Sequence, residues 1–153
     1  TAKTKADFGS GDGQYITFMN VMTNVVIDCQ IFDRVRVAST EPQNRVRRGD
    51  LIFNGSSETP EELAMCALMD EDVPNLFLNS FCFGFRFRDK AQVDGLFLAY
   101  YFRSAQGHNM MTSLAQGSTR YNLSKGLLLD ALLPLPIKSE QEAIAAVLSD
   151  MAT

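Results

Sequence analysis

Apolar and polar residues alternate with a period of two in several parts of the chain. Residues 33–38 read D-R-V-R-V-A, residues 80–88 place a phenylalanine at every second position, and residues 14–26 are rich in aromatic and β-branched side chains. A tract with Pro, Asn and Gly at 41–50 predicts a turn or loop before a short apolar run at 51–53. Because successive side chains of a strand point to opposite faces, we expect strands at 14–26, 33–38, 51–53 and 80–88, the last of them central in its sheet.

The predicted strand at 80–88 has two unlike faces. One face would carry its four phenylalanines, Phe81, Phe83, Phe85 and Phe87. The other face would carry Gly84, Arg86 and Arg88, so we expect the two arginines to point to solvent.

Apolar residues at intervals of three and four, with capping residues before them, predict the helices. The tetrapeptide T-P-E-E, with Thr59 as the cap, predicts a helix at 60–68. Residues 94–115 predict two consecutive helices interrupted near Gly107, and S-E-Q-E predicts a last helix from residue 139. The apolar stripe of that last helix, expected to pack on a partner helix, comprises Ile144, Val147, Leu148 and Met151.

The size and composition of the chain fit one compact domain with a sheet-containing core. The chain has 153 residues, 46% of them apolar, with eleven phenylalanines and no tryptophan. We therefore expect an α+β fold, in which a twisted, mainly antiparallel sheet is combined with short helices and a protruding C-terminal helix. The glycine-rich residues 9–13 are expected to form a flexible loop, because no predicted strand precedes them and no predicted helix follows them, as a phosphate-binding loop would require.

The charge of the chain is unevenly distributed. A formal net charge of -4 argues against a protein that grips nucleic acid by bulk electrostatics. No acidic residue lies between Asp94 and Asp130, however, while Arg103, Arg120 and Lys125 fall in that window. A second basic stretch comprises Arg34, Arg36, Arg45, Arg47 and Arg48. If folding brings these two stretches together, the protein presents a basic face; the alternative is ordinary solvated surface charge.

The sequence offers little support for catalysis or for a metal. The three cysteines are odd in number and lack C-x-x-C spacing, so neither a disulfide framework nor a zinc site is indicated, and we expect buried free thiols. The only histidine, His108, leaves open a small hydrolase built on a serine or cysteine, but no nucleophile motif supports it. We expect no catalytic residue, no metal and no cofactor.

No run of about 18 apolar residues is present, so we expect a cytoplasmic protein without a membrane span. The chain starts without Met and stops within a predicted helix, so we expect part of a longer protein.

Several motifs occur in an order that is similar to that of a known family. They are G-D-G-Q-Y-I-T-F-M-N-V at 11–21, R-R-G-D-L-I-F-N-G-S-S at 47–57, Q-G-S-T-R-Y-N-L-S-K at 116–125, L-P-L-P at 133–136 and E-Q-E-A-I-A at 140–145. The chain thereby resembles one target-recognition domain of a type I restriction-modification specificity subunit, over nearly its whole length.

The resemblance implies a non-catalytic protein that reads one half of a bipartite site in double-stranded DNA. It implies a modification (methyltransferase) subunit and a restriction subunit as partners, and either a second recognition domain or self-association through the last helix. Residues 1–138 would form the recognition domain and residues 139–153 the start of the conserved spacer helix. The alternative is a protein-interaction module that acts through its apolar C-terminal helix without reading DNA.

Base reading needs directional donors and acceptors set among phosphate contacts, which the two basic stretches supply. Under the resemblance, the expected DNA-binding residues are Arg45, Arg47, Arg48, Ser56, Ser57, Gln116, Ser118, Thr119, Arg120, Tyr121, Asn122 and Lys125. The alternative for residues 116–125 is a plain connector in which Asn122 and Ser124 bond the local backbone.

Overall fold

The computed structural model describes residues 2–117 and 120–152, so Ser118 and Thr119 of the predicted site lie outside the described residues. The strands are β1 (Phe8–Tyr15), β2 (Asp33–Val35), β3 (Leu51–Asn54), β4 (Ser56–Ser57), β5 (Cys66–Leu68), β6 (Leu76–Phe77), β7 (Cys82–Phe85), β8 (Ala115–Gln116) and β9 (Tyr121–Leu123). The helices are α1 (Phe18–Thr23), α2 (Gly95–Arg103), α3 (Ala105–Thr112), α4 (Lys125–Asp130) and α5 (Lys138–Ala152). None of these helices is long and apolar enough to cross a membrane.

The strands form three small sheets, in the orders β2-β1-β6, β5-β3-β7 and β4-β9-β8. All pairs are antiparallel except β1 with β6. The predicted α+β class with mainly antiparallel pairing is confirmed. The predicted central position of residues 80–88 is wrong, because β7 lies at the edge of its sheet and β3 occupies the middle.

The position of β3 explains why its sequence shows no alternation. Leu51 and Phe53 belong to one apolar cluster, with Phe102 and Met111 of the helical side. Ile52, which points the other way, belongs to a second cluster on the opposite face of the sheet. Because β3 is covered on both faces, its residues Leu51–Phe53 are all apolar, whereas β7 leaves Gly84 exposed.

Residues 14–26 do not form the predicted strand. The strand β1 ends at Tyr15, and α1 begins after Thr17, whose hydroxyl accepts a hydrogen bond from the Asn20 amide. The fully buried Asn20 side chain fixes this helical turn, because it bonds both the N–H and the C=O of Asp28 at 2.9 Å. The β-branched and aromatic composition favours a strand here, but the helical turn forms because the Asn20 side chain hydrogen-bonds buried backbone groups.

The predicted flexible loop at residues 9–13 is also wrong, because these residues lie inside β1. The glycines permit an irregular pairing with β2 between Phe8 and Gly13. A Cβ on Gly13 would lie 2.6 Å from the carbonyl oxygen of Val35, so this close approach of two backbones requires glycine.

The helix predicted at 60–68 is reduced to a 3-10 turn at Pro60–Glu62. Thr59 makes no side-chain capping bond, and Ala64 has a φ of 63°, which ends the helical path. The chain then forms β5, whose three residues are buried beside β3. The strand forms despite the local helix signal, because it supplies hydrogen-bond partners to the backbone groups of β3 and buries Cys66–Leu68.

The two consecutive helices predicted at 94–115 are confirmed as α2 and α3. The break falls at Ser104, which ends α2 and caps α3 by accepting a hydrogen bond from the Gly107 amide, and not at Gly107 itself. Arg103, the last residue of α2, points inward and donates to the carbonyl oxygens of Cys66, Met22, Val21 and Asn24. This guanidinium therefore joins α2 to β5 and to the end of α1.

The last helix begins at Lys138, where the Ile137 carbonyl accepts from the amides of Glu140 and Gln141. The expected Ser139 cap is thus wrong, because Ser139 is already inside the helix. The helix α5 packs along α2, and the Tyr100 and Ser149 hydroxyls lie 3.2 Å apart. The C-terminal helix is therefore anchored to the domain along much of its length.

Candidate nucleic-acid interface

Two basic stretches that are distant in the sequence line one groove of about 460 Å³. Arg45 and Arg47 come from the loop before β3, and Lys125 is the first residue of α4. The groove joins one cation of the 94–130 window, Lys125, to Arg45 and Arg47; Arg103 bonds backbone carbonyls, and Arg120 lies outside the lining of the groove.

Backbone bonds to β6 hold the two arginines in place. The Val46 amide donates to the Leu76 carbonyl at 2.9 Å, and the Leu78 amide donates to the Asn44 carbonyl at 3.1 Å. Val46 is buried, so its neighbours Arg45 and Arg47 project outward as they would on a strand. The Arg45 guanidinium lies 5.6 Å above the centroid of the Phe77 ring.

The acidic residue at the bottom of the groove is neutralised. The carboxylate of Asp50, only 4% exposed, receives two hydrogen bonds of 2.8 Å from Arg86. These bonds raise the pKa of the Arg86 guanidinium above its ordinary value, so Arg86 keeps its charge. Arg86 is exposed, as expected from the sequence, but one end of it is committed to Asp50. The groove thus keeps the positive charge of its other cations.

Lys125 reaches the groove from the start of a helix. The Ser124 hydroxyl caps α4 by accepting from the Leu127 amide at 3.2 Å, and the Lys125 ammonium lies 5.3 Å above the Phe83 ring. A cation in the first turn opposes the helix dipole, so helix stability does not explain its presence. Among the residues that the structure describes, no ion pair involves Arg45, Arg47 or Lys125.

The described residues of the tract at 116–125 belong to two paired strands, β8 and β9, and to the cap and start of α4. β9 pairs with β8 on one side and β4 on the other, which sets Asn122 beside both Gln116 and Ser56. Gly117, directly after β8, adopts a φ of 118°, and a Cβ there would lie 2.3 Å from the Arg120 carbonyl oxygen. The hairpin presents Gln116 and Asn122 as exposed amides.

Arg120 leaves the hairpin toward β4 and β7. Its Nε donates to the Ser56 hydroxyl at 2.9 Å, and its guanidinium lies 4.9 Å above the centroid of the Phe81 ring. Its Nη1 lies 3.8 Å from Oε1 of Glu58. Ser56, Arg120 and the neighbouring hairpin residues therefore form a second group beside the groove.

Residues 46–153 match the family described as type I restriction modification DNA specificity domain. The chain belongs to this family. The predicted resemblance is thereby confirmed.

A crystal structure of a type I restriction-modification system S subunit from M. genitalium has the same fold, with a TM-score of 0.53 and 21% sequence identity. The match covers 97% of this chain and 34% of the M. genitalium chain, so the specificity domain spans about a third of that subunit. No curated protein matches the chain in sequence.

Two residues predicted for the site are occupied elsewhere in the specificity domain. Arg48 lies 3.8 Å from Asp70, and its amide faces Asp72. Ser57 is buried, and its hydroxyl donates to the Glu62 carboxylate. We therefore leave Ser57 out of the candidate surface, and we leave Arg48, which has the carboxylates of both Asp70 and Asp72 beside it, out of the groove cations. Tyr121, which pairs with Ser57, is half-buried.

Some residues in and beside the groove were not predicted from the sequence. Gln43 and Asn44 line the groove beside Arg45, and their signal was the amide pair in the tract P-Q-N-R. Phe81 and Glu58, which contact Arg120 beside the groove, had no recognisable signal, because Phe81 precedes β7 and Glu58 follows β4, and these strands belong to two different sheets.

The expected stripe on α5 is split between two environments. Ile144, Val147 and Met151 are 42%, 58% and 77% exposed. Leu148 is half-buried, on the side where Ala145 is buried against the domain. The exposed part of the stripe thus comprises Ile144, Val147 and Met151.

The described residues give no support to a hydrolase. Nδ1 of His108 is buried without a hydrogen-bond partner among them, so no serine or cysteine is placed against this nitrogen. The three cysteines are free thiols, as expected, but only Cys66 is fully buried, whereas Cys29 and Cys82 are half-buried. Burial raises the pKa of the Cys82 thiol to about 11, which disfavours the nucleophilic thiolate.

Proposed function

We propose that this specificity domain recognises one half of a bipartite site in double-stranded DNA, as the non-catalytic reading part of a type I restriction-modification complex. The observation that carries the proposal is the groove in which Arg45, Arg47 and Lys125 meet without an acidic partner among the described residues. Unpaired cations on one surface are the ordinary means of binding phosphates.

Two kinds of contact are combined on this surface. The cations of the groove supply phosphate contacts, which fix position without reading sequence. The hairpin beside it offers Gln116, Arg120 and Asn122, whose side chains have the directional groups that base edges require. Residues 1–138 would carry this surface, and residues 139–153 would begin the spacer helix.

The exposed stripe of α5 favours a second role in assembly. Ile144, Val147 and Met151 form an apolar face that the domain itself leaves uncovered. This face suits a partner helix, from a second recognition domain or a second copy, within a complex that also holds the modification and restriction subunits. A protein-interaction module without DNA reading would need only this face.

Salt dependence tests the proposed groove. Each phosphate contact contributes about 0.9 to the slope of log affinity against log salt, so replacing Arg45, Arg47 and Lys125 by Gln should reduce the slope by about 2.7. Arg48→Gln is the matched control, because Arg48 faces Asp70, and its slope should stay near that of the wild type. An unchanged slope in the triple variant would contradict the groove assignment.

Methylation mapping separates DNA reading from mere assembly. The full-length protein that contains this domain is assembled with its modification subunit, and the methylated adenines are located in a long duplex. The proposal expects methylation at one defined sequence. Methylation without sequence preference in an assembled complex would favour the interaction module.

A further inference from the structure

The surroundings of Arg120 differ from those of the groove cations. Three groups contact its guanidinium: the Ser56 hydroxyl at Nε, the Phe81 ring with its centroid 4.9 Å from Cζ, and the Glu58 carboxylate 3.8 Å from Nη1. Each exposed contact is weak alone, but the three restrict the same planar group from different directions. Arg120 is therefore held in a defined orientation before any ligand binds.

We propose that Arg120 reads a guanine of the half-site and that Ser56, Phe81 and Glu58 are specificity-determining residues that reserve it for a base edge. This inference rests on the proposed DNA recognition and adds the identity of one base pair.

The geometry of the guanidinium accounts for guanine. Because Ser56 uses Nε, the two terminal nitrogens of Arg120 retain the donors that reach the O6 and N7 acceptors of guanine. The ring of Phe81, a residue that is 45% exposed, contacts the guanidinium and reduces the rotamer entropy that Arg120 loses on binding.

The position of Glu58 argues against a phosphate as the ligand of Arg120. A carboxylate beside Nη1 repels a phosphate, whereas the neutral edge of guanine carries no such penalty. A carboxylate also accepts from the exocyclic amine of cytosine, so Arg120 and Glu58 together complement a G·C pair. The groove cations Arg45, Arg47 and Lys125 have no such acidic neighbour among the described residues, which fits the phosphates assigned to them.

Selection of bound sequences from a randomised duplex pool tests this inference on the full-length protein. The wild type is expected to select a half-site that contains a guanine. Phe81→Leu and Ser56→Ala should lower the preference for that guanine about tenfold, within the range of one bidentate contact, and leave the salt slope unchanged.

Glu58→Gln is the decisive variant, because it should bind better to random DNA. We expect a higher affinity for random duplexes, a salt slope steeper by about one unit and a weaker preference at the same base pair. Glu61→Gln makes the same change of charge three residues away and should match the wild type. The gain in affinity also shows that the variant is folded.

The outcomes distinguish the two levels of the argument. If the wild type selects a sequence but Glu58→Gln retains full preference and an unchanged slope, the inference about Arg120 is overturned and DNA recognition stands. Loss of preference at a different base pair overturns it as well. If the wild type selects no sequence, the proposed function fails and this inference with it.

Discussion

Gln141 connects α5 to the rest of the domain through three hydrogen bonds. Its Oε1 accepts from the Asp94 amide at 2.8 Å, and its Nε2 donates to the carbonyl oxygens of Pro136 at 2.8 Å and Gln92 at 3.1 Å. The side chain is completely buried. The first turns of α5, the linker before it and the start of α2 therefore meet at one side chain, and Gln141→Leu should loosen all three.

The loss of stability in Gln141→Leu follows from the backbone groups that lose their hydrogen-bond partners. Each of the three bonds contributes about 0.5–1.5 kcal/mol, and a buried donor left without a partner costs about 1–3 kcal/mol. The carbonyls of Gln92 and Pro136 lie near the surface, where water replaces part of the loss, while leucine regains some apolar burial. We expect Gln141→Leu to lower the free energy of unfolding by about 2–4 kcal/mol, and the melting temperature by about 4–16 °C.

Urea unfolding followed by circular dichroism measures this loss, with Glu142→Gln as the control on the exposed neighbouring position. The control should stay within about 0.5 kcal/mol of the wild type. Gln141→Glu gives a second readout, because its carboxylate would face two carbonyl oxygens. Burial and these oxygens raise its pKa, so the deficit should grow as pH rises through that pKa. A Gln141→Leu variant as stable as the control would refute the role assigned to Gln141.

Three further changes probe other contacts. Arg103→Met removes the donors of four carbonyl bonds and should cost at least about 3 kcal/mol in urea unfolding, with Arg103→Lys intermediate; equal stability of the two variants would contradict this role. Partial burial raises the thiol pKa of Cys29 to about 12 and of Cys82 to about 11, and Cys66 is fully buried, so iodoacetamide at pH 8 should alkylate the folded protein far more slowly than the unfolded one; similar rates would argue against the raised pKa values and the burial of Cys66. Gly117→Ala should destabilise the hairpin by about 1–3 kcal/mol, since it adds a Cβ at a positive φ; a wild-type melting curve would contradict the turn geometry.

Local sequence signals predicted those elements whose environment agreed with them. Residues 94–115 carry both the apolar spacing and the caps of two helices, and the structure has both. The T-P-E-E tract at 59–62 is an equally good helix start, yet its chain turns into β5 because β3 needs a partner. The strand predicted at 14–26 is wrong for a similar reason, since the hydrogen bonds of the buried Asn20 stabilise a helical turn that the composition does not indicate. In such cases the structure is decided by contacts between residues that are far apart in the chain, and a single sequence does not show these contacts.

The sequence indicated which types of residue form the candidate surface, but not which individual residues line the groove. Basic and amide residues at 45–48 and 116–125 gave the two halves of the surface, and the groove joins Arg45 and Arg47 to Lys125. The pattern gave no reason to separate Arg48 from its neighbours. Its separation comes from Asp70 and Asp72, which follow β5 and reach the same turn.

The arginines show why an acidic chain retains a basic surface. Arg86 is used by Asp50 and Arg103 by backbone carbonyls, so neither is fully available to a ligand. Arg45 and Arg47 have no acidic partner among the described residues, and that difference, not their number, makes the groove positive. Net charge therefore says little about this surface. What matters is which carboxylates the fold brings within reach of each guanidinium, and this is why replacing Asp50 by Asn should add Arg86 to the groove's free cations and steepen the salt dependence of DNA binding by about one unit.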